Sequence, residues 1–356
     1  MNPQSVKLIH ETTERLRKGE DLSREGARTV MRCLLSGSVP DQEIAGLLIA
    51  LRDKGEKAEE LTGFAEIMRA HAAETLERAG VRGEAIAGDG PLLDTCGTGG
   101  DGHKTFNVST AAALVVAAAG VRVAKHGNRS ISSQSGSADV LEALGVALEL
   151  PLERIPECLE TVGMVFLFAP HLHLAMKHVM PARRSIKTKT VFNLLGPLTN
   201  PLAASVQLTG VYDRGRARMM AEALCALGTR RAFVVTGSEG LDEVTLAGPT
   251  FIAETHGKTL STREIAPEGF GLRRSPLAAL VGGSPAENAR ALARALSGDR
   301  GPIRDFILAN ASAALVVAGR ARDFSEGADG AAEAIDSGRA RRTLSALVEF
   351  TQRRRK

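Results

Sequence analysis

The chain of 356 residues has no tryptophan and a single tyrosine, Tyr212. Proteins that hold single-stranded nucleic acid stack bases on several aromatic faces, so that class is disfavoured from the outset. Cysteine is equally sparse: of Cys33, Cys96, Cys158 and Cys225 the closest two are 62 positions apart, with no CxxC pair and no clustered Cys/His ligands. This spacing argues against a cysteine-built zinc module and predicts free thiols in a reducing cytoplasm. Long apolar runs are missing as well. The longest, AAALVVAAA at 111–119, has nine residues, too few to cross a bilayer. The N-terminal stretch MNPQSVKLIHETTERL meets charge within ten positions and lacks an apolar core, so no secretory leader is expected there. The body of the chain has no excess of one charge: the formal net charge of +4 equals that of Arg353, Arg354, Arg355 and Lys356 alone. A basic pI is therefore weak support for nucleic-acid binding.

What is present is an ordinary globular composition, 44% hydrophobic and 24% charged, in a chain long enough for two domains. Residues 1 to about 80 read as helices only. In SVPDQEIAGLLIALRDKG, Asp41 stands where an N-cap belongs, Ile44, Leu47, Leu48 and Leu51 share one face, and Gly55 closes the run. KAEELTGFAEIMRAHAA repeats the pattern with Leu61, Phe64, Ile67 and Met68. A small domain of this size buries its apolar faces incompletely on its own, which predicts a homodimer through this region. The glycine-rich GVRGEAIAGDGP then separates residues 1–85, a helical domain, from residues 86–356, an α/β domain. Beyond it, strand and helix alternate: a helix from about Ser109 to Ala119, strand VRVA (121–124) followed by a KHGNR loop, a helix around Glu153 to Thr161, strand MVFLFA (164–169), then SVQLTGVY, ARMMAEALCAL and RAFVVTG. This alternation predicts a mainly parallel sheet with helical crossovers, whose ligands gather at the strands' carboxyl ends.

Two polar loops fall at those ends. DTCGTGGDG (94–102) packs four glycines into nine positions, with Asp94 and Asp101 near the two ends, and runs into Asn107, Ser109 and Thr110 at the head of an Ala-rich helix. Bare backbone and a helix N-terminus both present N–H groups to an anion, so the stretch reads as a phosphate cradle. It matches neither GxxxxGK[ST] nor GxGxxG, which disfavours a nucleotide P-loop or a dinucleotide fingerprint. KHGNRSISSQSGSAD (125–139) adds Lys125, Arg129, Asn128 and a run of serines, a second polyanion grip, with His126 among these potential ligands. LDEVTLAGPT then places the adjacent acids Asp242 and Glu243 in a loop after RAFVVTG. Paired carboxylates beside phosphate grips predict magnesium, which commonly joins one or two carboxylates to substrate phosphates, with Asp101 acting through water.

GTGGD, NVST, KHGNR, SGSADVLEALG, VFNLLGPLTNP and LDEVTLAGPT, in this order and spacing, closely resemble the anthranilate phosphoribosyltransferase family, and the resemblance spans nearly the whole chain. It implies a nucleoside phosphorylase-like phosphoribosyltransferase fold, a homodimer, and transfer of phosphoribose from 5-phosphoribosyl 1-pyrophosphate to anthranilate, a step of tryptophan biosynthesis. It assigns Gly97, Gly100, Asp101, Thr105, Asn107, Val108, Ser109, Thr110, Lys125, His126, Gly127, Asn128, Arg129, Ser130, Ile131, Ser132, Ser133 and Ser137 to the phosphoribosyl pyrophosphate site, with Lys125 and Asn128 as the catalytic pair. Magnesium, two ions per subunit, falls to Ser109, Asp242 and Glu243. Anthranilate falls to Gly97, His126, Asn128, Pro170, Met176 and Arg183, whose guanidinium can hold a benzoate carboxylate through two hydrogen bonds. The chain departs from the family pattern at Leu174, where proline is usual, and at SIKTKTVFN, which replaces an ELGIRT-like stretch. A pyrimidine nucleoside phosphorylase would share the architecture and the phosphate loop, but the acid pair together with NVST suits a magnesium pyrophosphate better than free phosphate. A nucleic-acid-binding relative that has lost the chemistry would show a basic stripe and missing site residues, and neither is present.

Overall fold

The computed structural model describes residues 2–82, 86, 88, 90–130 and 134–353. Four helices open the chain: α1 (Pro3–Arg17), α2 (Arg24–Leu35), α3 (Asp41–Lys54) and α4 (Ala58–Arg78). Asp41 is the first helical residue of α3 and Pro40 takes the cap, so the expected Asp41 N-cap shifts by one. A proline preset near φ −65° opens a helix without losing a needed donor. Gly55 closes α3 with φ +89, as its position implies. The corner between α3 and α4 is tied by Glu60, whose carboxylate is fully buried. It accepts the Leu22 N–H at 2.8 Å, the Lys57 N–H at 2.9 Å and the Lys54 ammonium at 3.0 Å. A buried carboxylate persists where every lone pair finds a donor. Helices α2 and α4 touch at Gly63, where a Cβ would lie 2.3 Å from the Arg24 carbonyl oxygen.

The second region is built on a sheet of seven strands among the described residues: β1 (Leu92–Gly97), β2 (Arg122–Gly127), β3 (Met164–Phe168), β4 (Val206–Gly210), β5 (Arg231–Gly237), β6 (Thr250–His256) and β7 (Thr259–Ile265). Their order is β3-β2-β1-β4-β5-β6-β7. The first five are parallel, and β6 and β7 continue the edge as an antiparallel hairpin turning at Gly257, φ +59. The crossovers are α5 (Val108–Ala118), α6 (Ser137–Ala143), α7 (Ile155–Val162), α8 (Ala169–Leu172), α9 (Met180–Ser185), α10 (Val191–Leu198) and α11 (Arg214–Ala226). Helices α12 (Pro285–Leu296), α13 (Pro302–Val317), α14 (Phe324–Asp336) and α15 (Arg339–Gln352) complete the chain. The fold class read from the sequence is thus the observed one, a small helical region followed by a larger α/β region with a mainly parallel sheet. Strand β2 runs three residues further than VRVA, so Lys125, His126 and Gly127 belong to the strand and not to a loop.

Two apolar cores flank the sheet. Alternation along β5 sends Phe233 and Val235 to the core shared with α5, α13 and α14, and Ala232 and Val234 to the other. That second core also contains Leu47, Leu48 and Leu51 of α3 with Met220 and Leu224 of α11. The three leucines are each 1% exposed within the single chain. The expectation that these apolar faces lack cover is therefore incorrect: within the single chain α1, α9 and α10 pack against α3. The four cysteines are free. Among the described residues no helix is long and apolar enough to cross a membrane.

Candidate active site

Because β1 is followed by β2 on one side and flanked by β4 on the other, the direction of winding reverses between β1 and β4. The carboxyl ends of these strands form the crevice where open α/β sheets bind ligands. Gly97 ends β1 and Gly210 ends β4, and the two are paired across the ladder. The 238–249 loop, which follows β5, presses on both. A Cβ on Gly97 would lie 2.5 Å from Asp242 Oδ2, and one on Gly210 would lie 1.6 Å from the Asp242 carbonyl oxygen. Neither glycine tolerates a side chain while Asp242 keeps its place. Buried Asn310 of α13 fixes the same loop from below. Its Oδ1 accepts the Val244 N–H at 3.0 Å, and its Nδ2 donates to the Val244 carbonyl at 3.0 Å.

The glycine-rich turn meets Asp242 directly, since the Gly99 N–H donates to Asp242 Oδ2 at 2.6 Å. Gly99, Gly100 and Gly102 all have positive φ, which the turn requires. Asp101 Oδ1 accepts the His103 N–H at 3.1 Å, while its Oδ2 is buried without a hydrogen-bond partner. Burial, reinforced by the Asp101 charge, pushes Asp242 up to about 7. Burial, reinforced by Asp242, pushes Glu243 well above the usual carboxylate range. Among the described residues no three His, Cys, Asp or Glu side chains form a metal-holding group by themselves. Crowded, desolvated acids with an orphaned oxygen fit a cation that brings further oxygen ligands from a substrate, as magnesium on a pyrophosphate does.

Lys125 is 1% exposed at the end of β2. Its ammonium donates to the Thr95 carbonyl at 2.5 Å and to Ser109 Oγ at 3.2 Å. Burial lowers its pKa, against the pull of Asp94, Cys96 and Glu243. Its charge therefore sits beside Ser109 and within electrostatic reach of Glu243. Asp94, one of the two acids framing the glycine-rich stretch, lies within β1 and is fully buried. It accepts Asn200 Nδ2 at 2.8 Å and the His126 N–H at 3.1 Å, so it braces the strands and faces no solvent.

At the helix head, the Asn107 side chain is engaged within the protein. Its amide donates to the Ser135 carbonyl at 3.0 Å, and its oxygen accepts Ser135 Oγ at 3.0 Å and Asn288 Nδ2 at 2.8 Å. Thr105 bridges to Val281 in a short antiparallel contact. Val108 and Thr110 are wholly buried, the Thr110 hydroxyl without a partner. Asn128 is exposed and Gly127 packs against Ser137 Oγ, which donates to the Asn128 carbonyl at 3.3 Å. Arg129, expected to grip an anion, is paired with Asp139 at 3.0 Å and with Glu142 at 2.7 Å, and it lies over the Phe168 ring. The Ser130 N–H donates to Asp139. Ile131, Ser132 and Ser133 lie outside the described residues.

On the opposite wall, Arg183 of α9 rests over the Phe192 ring, 5.0 Å from its centroid, and burial lowers its pKa. None of the ion pairs among the described residues involves it, which leaves a partly desolvated cation facing the need for an anion. Pro170 is exposed and Met176 is half-buried against the second core. His126 Nδ1 lies 3.3 Å from the Gly196 carbonyl, and its ring stands 5.1 Å from that of His173. Nε2 of each imidazole is buried and unpartnered. Sequence reasoning missed His173, Asn200, Asn288 and Asn310. The LTNP motif that contains Asn200 was the one local signal.

Known proteins share both regions of the chain. Residues 89–341 match the glycosyl transferase family a/b domain, and residues 10–72 match the helical bundle domain of the same family. A relative from Pelotomaculum thermopropionicum, named anthranilate phosphoribosyltransferase, is 48% identical over 344 residues, 97% of each chain. The crystal structure of the anthranilate phosphoribosyltransferase of Thermus thermophilus is 43% identical with a TM-score of 0.86, covering 96% of this chain and 99% of its own. The Saccharomyces cerevisiae enzyme in complex with PRPP and Mg is 30% identical with a TM-score of 0.83, covering 96% of this chain and 97% of its own. The same yeast protein is also known in complex with 4-fluoroanthranilate.

The histidine pair makes stability acid-sensitive. Burial, with His173 as neighbour, lowers His126 to about 3, and burial lowers His173 to about 4, against an ordinary 6.5. Below about pH 6.5 the unfolded chain takes up protons that the folded chain refuses, so the pair's stabilisation is complete above that pH and is lost as pH falls toward 4. Thermal midpoints should drop on acidification from about pH 7 to about pH 5, and His173→Gln should drop less. Equal acid sensitivity in both proteins would remove the pair from the account.

Proposed function

The chain belongs to the anthranilate phosphoribosyltransferase family, and we infer from that membership that it joins anthranilate to 5-phosphoribosyl 1-pyrophosphate, giving N-(5-phosphoribosyl)anthranilate and pyrophosphate in tryptophan biosynthesis. Identity over nearly the full length carries this reading. The crowded acids beside the glycine-rich turn support magnesium as the escort of the pyrophosphate. The assignment of two ions per subunit to Ser109, Asp242 and Glu243 is part of the proposal.

The bond between ribose C1 and pyrophosphate breaks with its electron pair leaving on the phosphate oxygen. Positive charge builds on the ring, and the anthranilate nitrogen forms the new bond to C1 while shedding a proton. Magnesium, when bound, offsets the negative charge of the leaving group. Past Gly99, whose N–H is taken by Asp242, the glycine-rich turn presents bare backbone to the phosphates, and Lys125 adds a fixed positive field beneath them. Asn107, Ser109 and the 125–137 segment position the phosphoribosyl moiety. Asn128 and His126 stand between this site and the aromatic acid. The amine of anthranilate is already a free base near neutrality, so positioning is the larger contribution and no strong general base is assigned.

Residues 1–85 as a helical unit and 86–356 as the catalytic unit remain the proposed division. A homodimer through the helical region, in the cytoplasm, is also proposed. Its support is Ile49 of α3, a large apolar side chain that is 38% exposed. A monomer mass in sedimentation would exclude the dimer.

Activity is read as the loss of anthranilate fluorescence on mixing the protein with both substrates and magnesium. Arg183→Ala removes a charge-assisted contact to the benzoate carboxylate and should raise the anthranilate KM roughly ten- to hundredfold while leaving the phosphoribosyl pyrophosphate KM nearly unchanged. The opposite split would move the carboxylate to the neighbouring Arg184.

A further inference from the structure

A cavity of about 580 Å³ opens between the end of α3, the 188–190 segment and the start of α11, lined by Arg52, Glu56, Lys189, Thr190, Tyr212 and Arg216. None of these residues belongs to the site assigned above. Three cations face one carboxylate. Two of the cations are engaged: Arg52 with Asp53 and the Thr188 hydroxyl, and Arg216 with Glu56 at 2.9 Å. Among the described residues Lys189 makes no such pair, and its ammonium lies 3.2 Å from the centroid of the Tyr212 ring. Thr190 is 5% exposed, and its hydroxyl is buried without a hydrogen-bond partner.

The same lysine reaches the glycine-rich turn, because a Cβ on Gly100 would lie 2.9 Å from Lys189 Cε. Burial and the Arg216 charge oppose its protonation, while Asp101 and Asp242 favour it. Its ammonium therefore stands between the cavity and the acids that face the pyrophosphate, resting on a ring face and without an ion pair among the described residues. A cation–π contact at an exposed site is weaker than a hydrogen bond to a charged group, so an anion can draw the ammonium away. The aromatic acid is the poorer occupant. The Tyr212 ring on which it would stack already carries Lys189 and, at 5.7 Å, Arg216.

We propose that this cavity is a subsite for inorganic pyrophosphate, entered after the bond to C1 has broken, with Lys189 leaving the Tyr212 ring to accompany it. The proposal rests on the reaction inferred above. A cation with no ion pair among the described residues, a buried hydroxyl without a partner and direct adjacency to the glycine-rich turn define a polyanion site beside the place the pyrophosphate leaves.

The test titrates inorganic pyrophosphate by calorimetry into the full-length protein saturated with phosphoribosyl pyrophosphate and magnesium, without anthranilate, so that no turnover occurs. Pyrophosphate should still bind, and Lys189→Met and Arg52→Gln should each weaken it roughly tenfold or more, with anthranilate affinity held within about twofold. Three results would overturn the subsite: no binding once phosphoribosyl pyrophosphate is saturating, an effect of Lys189→Met without one of Arg52→Gln, or weakened anthranilate binding in place of pyrophosphate binding. If the protein takes up no phosphoribosyl pyrophosphate at all, the reaction itself is misassigned. The same titration on the free protein then decides the cavity separately, since weakening by both substitutions supports it and unchanged binding refutes it.

Discussion

Asp242 rests on two strand tips that have no room for a side chain, and the rest of the site depends on that contact. Gly97 and Gly210 are paired neighbours at the ends of β1 and β4. Their missing Cβ atoms let the loop after β5 settle low enough for Asp242 to accept the Gly99 N–H. Any side chain at either tip lifts that loop, and with it the acid pair, from the glycine-rich turn. The sheet order places β1 and β4 at the point where the winding reverses, so the bare tips coincide with the natural crevice of the fold.

Charge is stored around this contact at a cost that a bound ligand offsets. Burial and the Asp101 charge raise Asp242, burial and the Asp242 charge raise Glu243, Lys125 is buried beneath them, and Arg183 on the far wall has no ion pair among the described residues. Each group is unfavourable alone. Together they describe the complement of a magnesium-bearing polyphosphate on one side and of a carboxylate on the other. The buried amides that hold the frame, Asn200 on Asp94, Asn288 on Asn107 and Asn310 on the acid loop, keep these charges in place without adding any. Such fixed polar groups need no reorganisation when charge moves during the reaction.

The elements that were legible in the sequence are those whose chemistry is local. A glycine-rich turn with an aspartate near each end and an acid pair after an apolar strand can each be read in a dozen residues, whereas Arg183 came only with the family resemblance. Lys125, His126 and Gly127 were misplaced into a loop because polar residues at a buried strand end look like a turn until the neighbouring strands are known. The apolar face of α3 was seen, but what covers it is tertiary: besides α1, helices α9 and α10 reach it from a distant part of the chain. Asn200, Asn288 and Asn310 left almost no local signal, since a single amide gains meaning only from the backbone it meets. Lys189 stood out only as part of an unusual stretch, and its relation to Gly100 and Tyr212 needed the fold.

The central claim is that close packing of bare strand tips sets the acid pair for its metal. It is tested most directly by titrating magnesium against turnover at saturating substrates for Gly97→Ala beside the unsubstituted protein. The account predicts a folded variant whose half-saturating magnesium concentration rises roughly tenfold or more, since a displaced carboxylate loses a charge-assisted contact. A folded Gly97→Ala protein with an unchanged magnesium requirement would contradict it.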